Sequence, residues 1–503
     1  MADSLVLAVD CSTTAVKAIV FDGSGRSVAG ARRPLSMLRP QPGFHEQDAA
    51  QWWRATVGAM AEVVASLDRP ADIRAISISH QRESFVCLDA DGRPTRPAIL
   101  WVDTRAAEQI AQFGSPRVAQ VSGKPPDVTP AIYKMAWLRQ HEPATLRDAV
   151  QVGDVQAFLV QRFTGRWATS HGSADALGLF DLARLTWDDE LLAVAGVRRN
   201  QLPELVPSGD LLGQLTAELT RQLGLPAPIP LVAGTGDGQA AGLGADAGGS
   251  SVAYLNLGTS MVMGVASDHY LTDAAFRTLA GPVHATFVLE TLLNSAGYLV
   301  EWFRAQFGLF PDNHELNDAV AAVPAGADGL LTLPYWNAVQ PPHWDPLARG
   351  ATVGWHGGHT PAHFLRSMLE GVAFEAELHL AGLVRATGMP ITSLHAVGGG
   401  TRSDVWVQIM ADVTGRTLQV ESEDEVSAKG AAVLARAYLA YGGNAGISRA
   451  VRDMAGAHVA VEPDPSAAET FRRLSAVHHE LYERLRPIFP RLAGERAGGS
   501  RYE

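Results

Sequence analysis

The chain has 503 residues, 47% hydrophobic and 19% charged, with a formal net charge of −12. That length exceeds one compact core and predicts two large domains, while the acidic balance argues against nucleic acid or an acidic membrane surface as partner. Two cysteines, Cys11 and Cys87, give neither a disulfide framework nor metal spacing and suit a reducing cytoplasm.

The opening MADSLVLAVD has no cationic leader, and Asp10 interrupts its apolar run, so it reads as a buried strand over Leu5 to Val9. No stretch approaches the roughly eighteen apolar residues of a membrane span. A polar loop, Ser12-Thr13-Thr14, leads to a second apolar run from Ala15 to Phe21, which predicts a β-hairpin with a third strand near Val28. Apolar residues then recur at helical spacing from Trp52 to Leu67. IRAISISH is a buried strand, Asp91-Gly92 a hairpin turn, and the stretch from Arg105 to about Leu225 reads as mainly helical. A strand from Ile229 to Ala233 ends in GTGDGQAAG, in which Gly234, Gly236 and Gly238 surround Asp237. After a small-residue connection from Gly248 to Ser251, VAYLNLGTSMVMGVAS repeats the pattern of strand, polar loop and strand. Further on, ITSLHAVGGGTRSDVWVQIMADV predicts a strand, a triple-glycine turn and an amphipathic helix with Val405, Ile409 and Val413 on one face. SAKGAAVLARAYLAYG, with Gly430 among alanines, predicts a helix built for close packing, and the tail after Pro490 reads as frayed. The parts of the first half recur in the second, so an internal duplication with a cleft between the halves is expected.

The two hairpin loops share a design suited to phosphate oxygens: hydroxyls and consecutive backbone N–H groups at a tight turn. Ser12, Thr13 and Thr14 form the first, with Lys17 as an added cation and Asp10 as a support for magnesium through water. Gly258, Thr259 and Ser260 form the second. Around Asp237 the glycines remove Cβ atoms that would hold a ligand off and permit positive φ; the alternative is that Asp237 only caps the following helix. Gly398-Gly399-Gly400 opens a helix, where a ligand can approach the backbone closely, and Gly297 and Glu301 lie one helical turn apart where a nucleotide could also touch.

At these residues the sequence resembles the FGGY carbohydrate kinases, a branch of the actin, Hsp70 and sugar kinase superfamily. The resemblance runs from VDCSTTAVKAIVFD through ISHQRESFVCLD, RPAILWVDTRA, GTGDGQAAG, LNLGTS and LEGVAFEAE to VGGGTRSDVWVQIMAD and SAKGAAVLA, and EQDAAQWW, RPAILWVD and WLRQHEP look most like the xylulokinase branch. It implies an α/β fold of two ribonuclease H-like domains around a central cleft, over 1–246 and 247–490, with 491–503 as a flexible tail. By the same resemblance Asp237 matches the catalytic base, and Asp10 the acid that supports magnesium and phosphate. Ser12, Thr13, Thr14, Lys17, Gly258, Thr259 and Ser260 match the phosphate loops; Gly399, Gly400, Ser403 and Asp404 match the adenosine turn. Gln81, Arg82, Glu83, Trp101 and Asp103 fall where the family contacts its sugar. The implied activity is ATP- and Mg²⁺-dependent phosphorylation of a small sugar, D-xylulose to D-xylulose 5-phosphate first, by a cytoplasmic protein that could form a homodimer.

The chain departs from the pattern in three places. Ser12 stands where the family usually has glycine, adding a hydroxyl donor. Gln81-Arg82-Glu83 looks more like glycerol kinases than the Gln-Met-His common in xylulokinases, and so opens glycerol, gluconate or another polyol as acceptor. Ala338-Val339-Gln340 replaces a common Gly-Glu-Arg, which is expected to alter the cleft rim. A sugar sensor without transfer and an actin- or Hsp70-like ATPase are the readings of another class; the intact Asp237 and the lack of a client-binding domain stand against them.

Overall fold

A computed structural model describes residues 4–496 apart from 248, 250, 422 and 424. Two residues of the expected 248–251 connection therefore lie outside the described residues, as do 497–503 of the tail, which is helical over Phe489–Arg496 rather than frayed from Pro490.

The first half is built on strands β1 (Leu5–Cys11), β2 (Ala15–Phe21) and β3 (Ser27–Pro34), helix α1 (Ala49–Ala65), then β4 (Ile73–His80), β5 (Leu211–Gln214) and β6 (Pro230–Gly236), which runs into α2 (Asp237–Gly244). The second half carries β7 (Val252–Leu257), β8 (Met261–Ser267), β9 (Arg277–Ala280), β10 (Phe287–Leu293), α3 (Gly297–Phe307), β11 (Ser393–Val397), α4 (Asp404–Thr414), β12 (Thr417–Glu421), α5 (Val426–Tyr441) and β13 (His458–Val461). The sheets run β5-β6-β4-β1-β2-β3 and β9-β10-β8-β7-β11-β12-β13. Within them β3-β2-β1-β4-β6 and β10-β8-β7-β11-β12 are the same arrangement: two antiparallel pairings, then two parallel ones. The duplication read from the loops is thus a repeated topology, the two-domain α/β fold of ribonuclease H type.

The central strands are apolar along nearly their whole length because both faces of each sheet are covered; every residue of β1 after Leu5 is buried. The segment from Arg105 to Leu225 mixes short helices with short strands, and Gln151–Asp154 pairs with Phe85–Leu88 in a separate sheet. Strand partners so distant in sequence leave no local periodicity.

Helix α5 crosses back from the second half onto α2 and the first sheet, where its alanines pack against Val6, Ala8, Ile19 and Phe21. Glycine is required on both sides of the crossing. A Cβ on Gly430 would come within 1.9 Å of the Ala240 carbonyl oxygen, and one on Gly244 within 2.1 Å of the Val426 carbonyl oxygen. Gly430→Ala should force the helices apart and cost about 2 kcal/mol or more, read as a lower Tm in thermal unfolding; an unchanged Tm would refute this account of the crossing. Because α2 begins at Asp237, the crossing also holds the most distinctive acid in the chain.

Candidate active site

Asp237 ends β6 and begins α2. Its glycine neighbours serve a purpose other than the one expected. Gly234, Gly236 and Gly238 are absent from the positive-φ glycines, and Gly236 has φ −61°. What they provide is room for protein. A Cβ on Gly234 would meet the Ile78 carbonyl oxygen at 1.7 Å, one on Gly236 the Arg82 Cδ at 2.5 Å, and one on Gly238 both Arg82 Nη2 and Glu290 Oε2 at 2.8 Å. The helix cap position is Gly236, and Asp237 lies inside the first turn, where its Oδ1 accepts from the Gly238 N–H at 2.8 Å. The Asp237 side chain remains 40% exposed, with Arg82 Nε donating to the same Oδ1 at 3.0 Å.

Asp10, at the end of the central strand β1, is 7% exposed and accepts from the Ser79 hydroxyl at 2.7 Å. Burial, reinforced by the Asp237 charge and opposed by Ser79 and Lys17, raises its pKa from 3.8 to about 6. Asp10 and Lys17 face Asn256, Gly398, Gly399, Arg402, Glu425 and Ser427 across a cleft of about 290 Å³ between the halves. In the first loop the Ser12 hydroxyl does not point outward as a spare donor: it donates to the Ala15 carbonyl at 2.9 Å and closes the hairpin. Thr13 Oγ1 accepts from Trp101 Nε1 at 2.9 Å and donates to Gln81 at 3.3 Å, while Thr14 is exposed. Lys17 is paired with Glu425 at 2.6 Å, so an incoming anion must share it.

A second cleft, of about 590 Å³, adjoins this one through Gly399. It gathers Gly258, Thr259, Gly297, Glu301, Gly399, Gly400 and Ser403, and also Tyr298, Arg304, Asn313 and Trp406. Ser260 is half-buried beside Thr259, and Asp404, the first residue of α4, is exposed. Glu301 is bonded to Arg304 at 2.9 Å, and Ser403 caps α4 and donates to Asn317 at 2.6 Å. The triple glycine follows from the geometry: Gly398 has φ 93°, and a Cβ there would strike Asn256 Oδ1 at 2.4 Å. Gly297 clamps the second loop, its N–H donating to the Gly258 carbonyl at 2.9 Å, and a Cβ at Gly297 would lie 2.5 Å from that oxygen. Gly297→Ala should therefore displace Gly258 and Thr259 and destabilise the loop; a lower Tm in thermal unfolding checks this.

Of the residues expected at the sugar, Gln81 and Asp103 are enclosed. Gln81 is 1% exposed and engages Thr13, Gln47 and Ser84. Asp103 is 0% exposed and accepts from Arg105 and the His45 N–H. Trp101 is half-buried, whereas Arg82 and Glu83 enter a buried ionic cluster with two residues of the other half, Arg277 and Glu290. Glu83 sits at φ 61°, a conformation side chains rarely adopt, and accepts from Arg277 at 2.8 Å and Thr129 at 3.1 Å. Arg277 and Glu290 escaped the sequence reading. The signal was there: a glutamate inside the apolar strand FVLETLL demands a buried cationic partner. Ala338-Val339-Gln340 forms a mostly buried turn whose Gln340 side chain accepts from the Asn294 N–H at 3.1 Å, just ahead of α3.

Among the described residues no helix is long and apolar enough to cross a membrane. Residues 5–244 match the model of the N-terminal domain of the FGGY family of carbohydrate kinases, and residues 253–438 that of its C-terminal domain. The chain is 31% identical to a xylulose kinase of Escherichia coli (strain K12) over 439 residues, covering 86% of this chain and 90% of that one. It is 32% identical to a glycerol kinase of Bordetella parapertussis over 455 residues, covering 86% and 88%. The crystal structure of ligand-bound xylulose kinase from Lactobacillus acidophilus superimposes with a TM-score of 0.91 at 25% identity, covering 97% of this chain and 100% of that one.

Proposed function

Since the chain belongs to the FGGY family of carbohydrate kinases, which transfer phosphate from ATP to a sugar or polyol, we propose that it phosphorylates the terminal hydroxyl of a small acceptor, D-xylulose first, with Asp237 as the base. The observation that carries this reading is the 40% exposed Asp237 carboxylate, near enough for its charge to raise the pKa of Asp10, which itself lines the inter-half cleft. Asp237 takes the hydroxyl proton as that oxygen bonds to the γ-phosphorus; the bond to the β-phosphate oxygen breaks, and ADP leaves with the electron pair. The larger cleft takes the adenosine, with Gly399 and Gly400 against the base and Gly258 and Thr259 toward the phosphates. Lys17 shares its charge between Glu425 and phosphate oxygen.

Magnesium fits this donor set in one particular way. Asp10, a buried carboxylate lining the cleft beside Lys17, suits a metal that keeps most of its waters. Asp10 would hold it through water, and its chemistry there is to neutralise phosphate charge.

Glycerol is the second reading, favoured by Gln81-Arg82-Glu83 and by the similarity to a glycerol kinase. Acceptor-dependent ADP release, measured with Mg²⁺ and ATP across ketopentoses, polyols and aldonates, decides between them. D-xylulose should give the highest kcat/KM. Preference for glycerol overturns the first reading in favour of the second, and no acceptor-dependent release overturns both.

A further inference from the structure

The two arginines and two glutamates behind Asp237 come from both halves. Arg82 and Glu83 follow β4, whereas Arg277 lies on β9 and Glu290 on β10. Glu290 is 0% exposed and is the hub of the cluster. It accepts from Arg82 Nη1 at 3.1 and 3.0 Å, from Arg277 Nε at 2.8 Å and from the Tyr254 hydroxyl at 2.7 Å. Burial pushes its carboxyl up, but the guanidiniums of Arg82 and Arg277 outweigh it and hold the pKa at about 2. Glu83 balances Arg277 from the other side at 2.8 Å.

In formal charge, Arg82 and Arg277 cancel Glu83 and Glu290. Asp237 therefore accepts one N–H from Arg82 without being needed to balance the cluster. Both of its protein donors, Arg82 Nε and the Gly238 N–H, go to Oδ1. Among the described residues no donor to Oδ2 is found, which leaves that oxygen for a proton.

We propose that Glu290 is a positioning residue for phosphoryl transfer: from the second half of the chain it holds the Arg82 guanidinium so that Arg82 orients Asp237 through Oδ1 without becoming its private counter-ion. This rests on Asp237 being the base. Without the Glu290 charge, Arg82 would be free to close a full salt bridge on Asp237. The carboxylate would then be turned and its second oxygen occupied, slowing transfer while leaving the ATP cleft untouched.

The test is a double-mutant cycle on the full chain, with the acceptor among D-xylulose, glycerol and D-gluconate that gives the fastest ADP release. Glu290→Gln should lower kcat about 30-fold in the native background and less than about threefold beside Arg82→Gln, because its effect travels through Arg82. The KM for ATP should stay within about twofold. Equal losses in both backgrounds, or no loss in either, would overturn the proposal. If Glu290→Gln does not fold, Tyr254→Phe removes only the hydroxyl that steadies Glu290. It should show a smaller loss with the same dependence on Arg82, and a loss independent of Arg82 overturns the proposal equally. Asp237→Ala separates the two levels of the argument: turnover surviving in that variant refutes the base assignment itself, whereas additivity in the cycle refutes only the role of Glu290.

Discussion

Asp237→Ala is expected to lower kcat by about two to four orders of magnitude while leaving acceptor affinity within a few-fold. The expectation follows from what the side chain does not do. It is 40% exposed and crosses no packed core, and its protein partners are Arg82 and the Gly238 N–H. Removing it leaves Arg82 bound to Glu290 at 3.0 Å, so no buried cation is stranded and the native Tm should be nearly kept. What is lost is the proposed acceptor for the hydroxyl proton. Steady-state ADP release with calorimetric acceptor titration checks both halves of the statement, and near-normal turnover would remove Asp237 from the role.

The features legible in the sequence were those whose meaning is local. A hairpin with a polar loop is written in adjacent residues, and so β1 with β2, and β7 with β8, fall where the two apolar runs predicted them. The same holds for Asp237 at a strand-to-helix turn. Less legible were roles set by a distant partner. The Asp237 glycines were read as room for a ligand, yet the space is taken by Arg82 and Glu290, the latter from another sheet. Ser12 looked like a spare donor until the Ala15 carbonyl claimed its hydroxyl. Gln81 and Asp103 lie next to Arg82 and close to Trp101 in the chain, but their enclosure depends on Thr13, Gln47 and Arg105 closing over them. Lys17 carries the expected charge, but its partner Glu425 lies at the entrance to α5, far along the chain. In each case the residue type was informative and its orientation was not, because orientation is a property of the packed neighbours.

Asp10→Asn should make the protein more stable and a poorer enzyme at the same time. The carboxyl is buried, and burial together with the Asp237 charge lifts its pKa from 3.8 to about 6, against the help of Ser79. The sign follows directly. Well below pH 3.8 the group is protonated in both the folded and unfolded chain and costs nothing; between 3.8 and about 6 the unfolded chain ionises while the folded chain holds its proton, so stability falls across that window and levels off above it. At pH 8 that cost is about 2–3 kcal/mol. Asparagine keeps the oxygen that accepts from the Ser79 hydroxyl and removes the charge, so the variant should gain a few degrees in Tm at pH 8 and little or nothing at pH 4. Activity should move the other way, with kcat down about 100-fold and a higher magnesium concentration needed for half-maximal rate, as the role proposed for Asp10 in supporting the ion requires. A residue kept for packing would lose stability on substitution, and one kept only for charge balance would leave the magnesium response unchanged. Thermal unfolding at the two pH values and magnesium titration of ADP release read these quantities separately, and a fall in Tm at pH 8 would show that burial of the ionised carboxylate is not what strains this strand end.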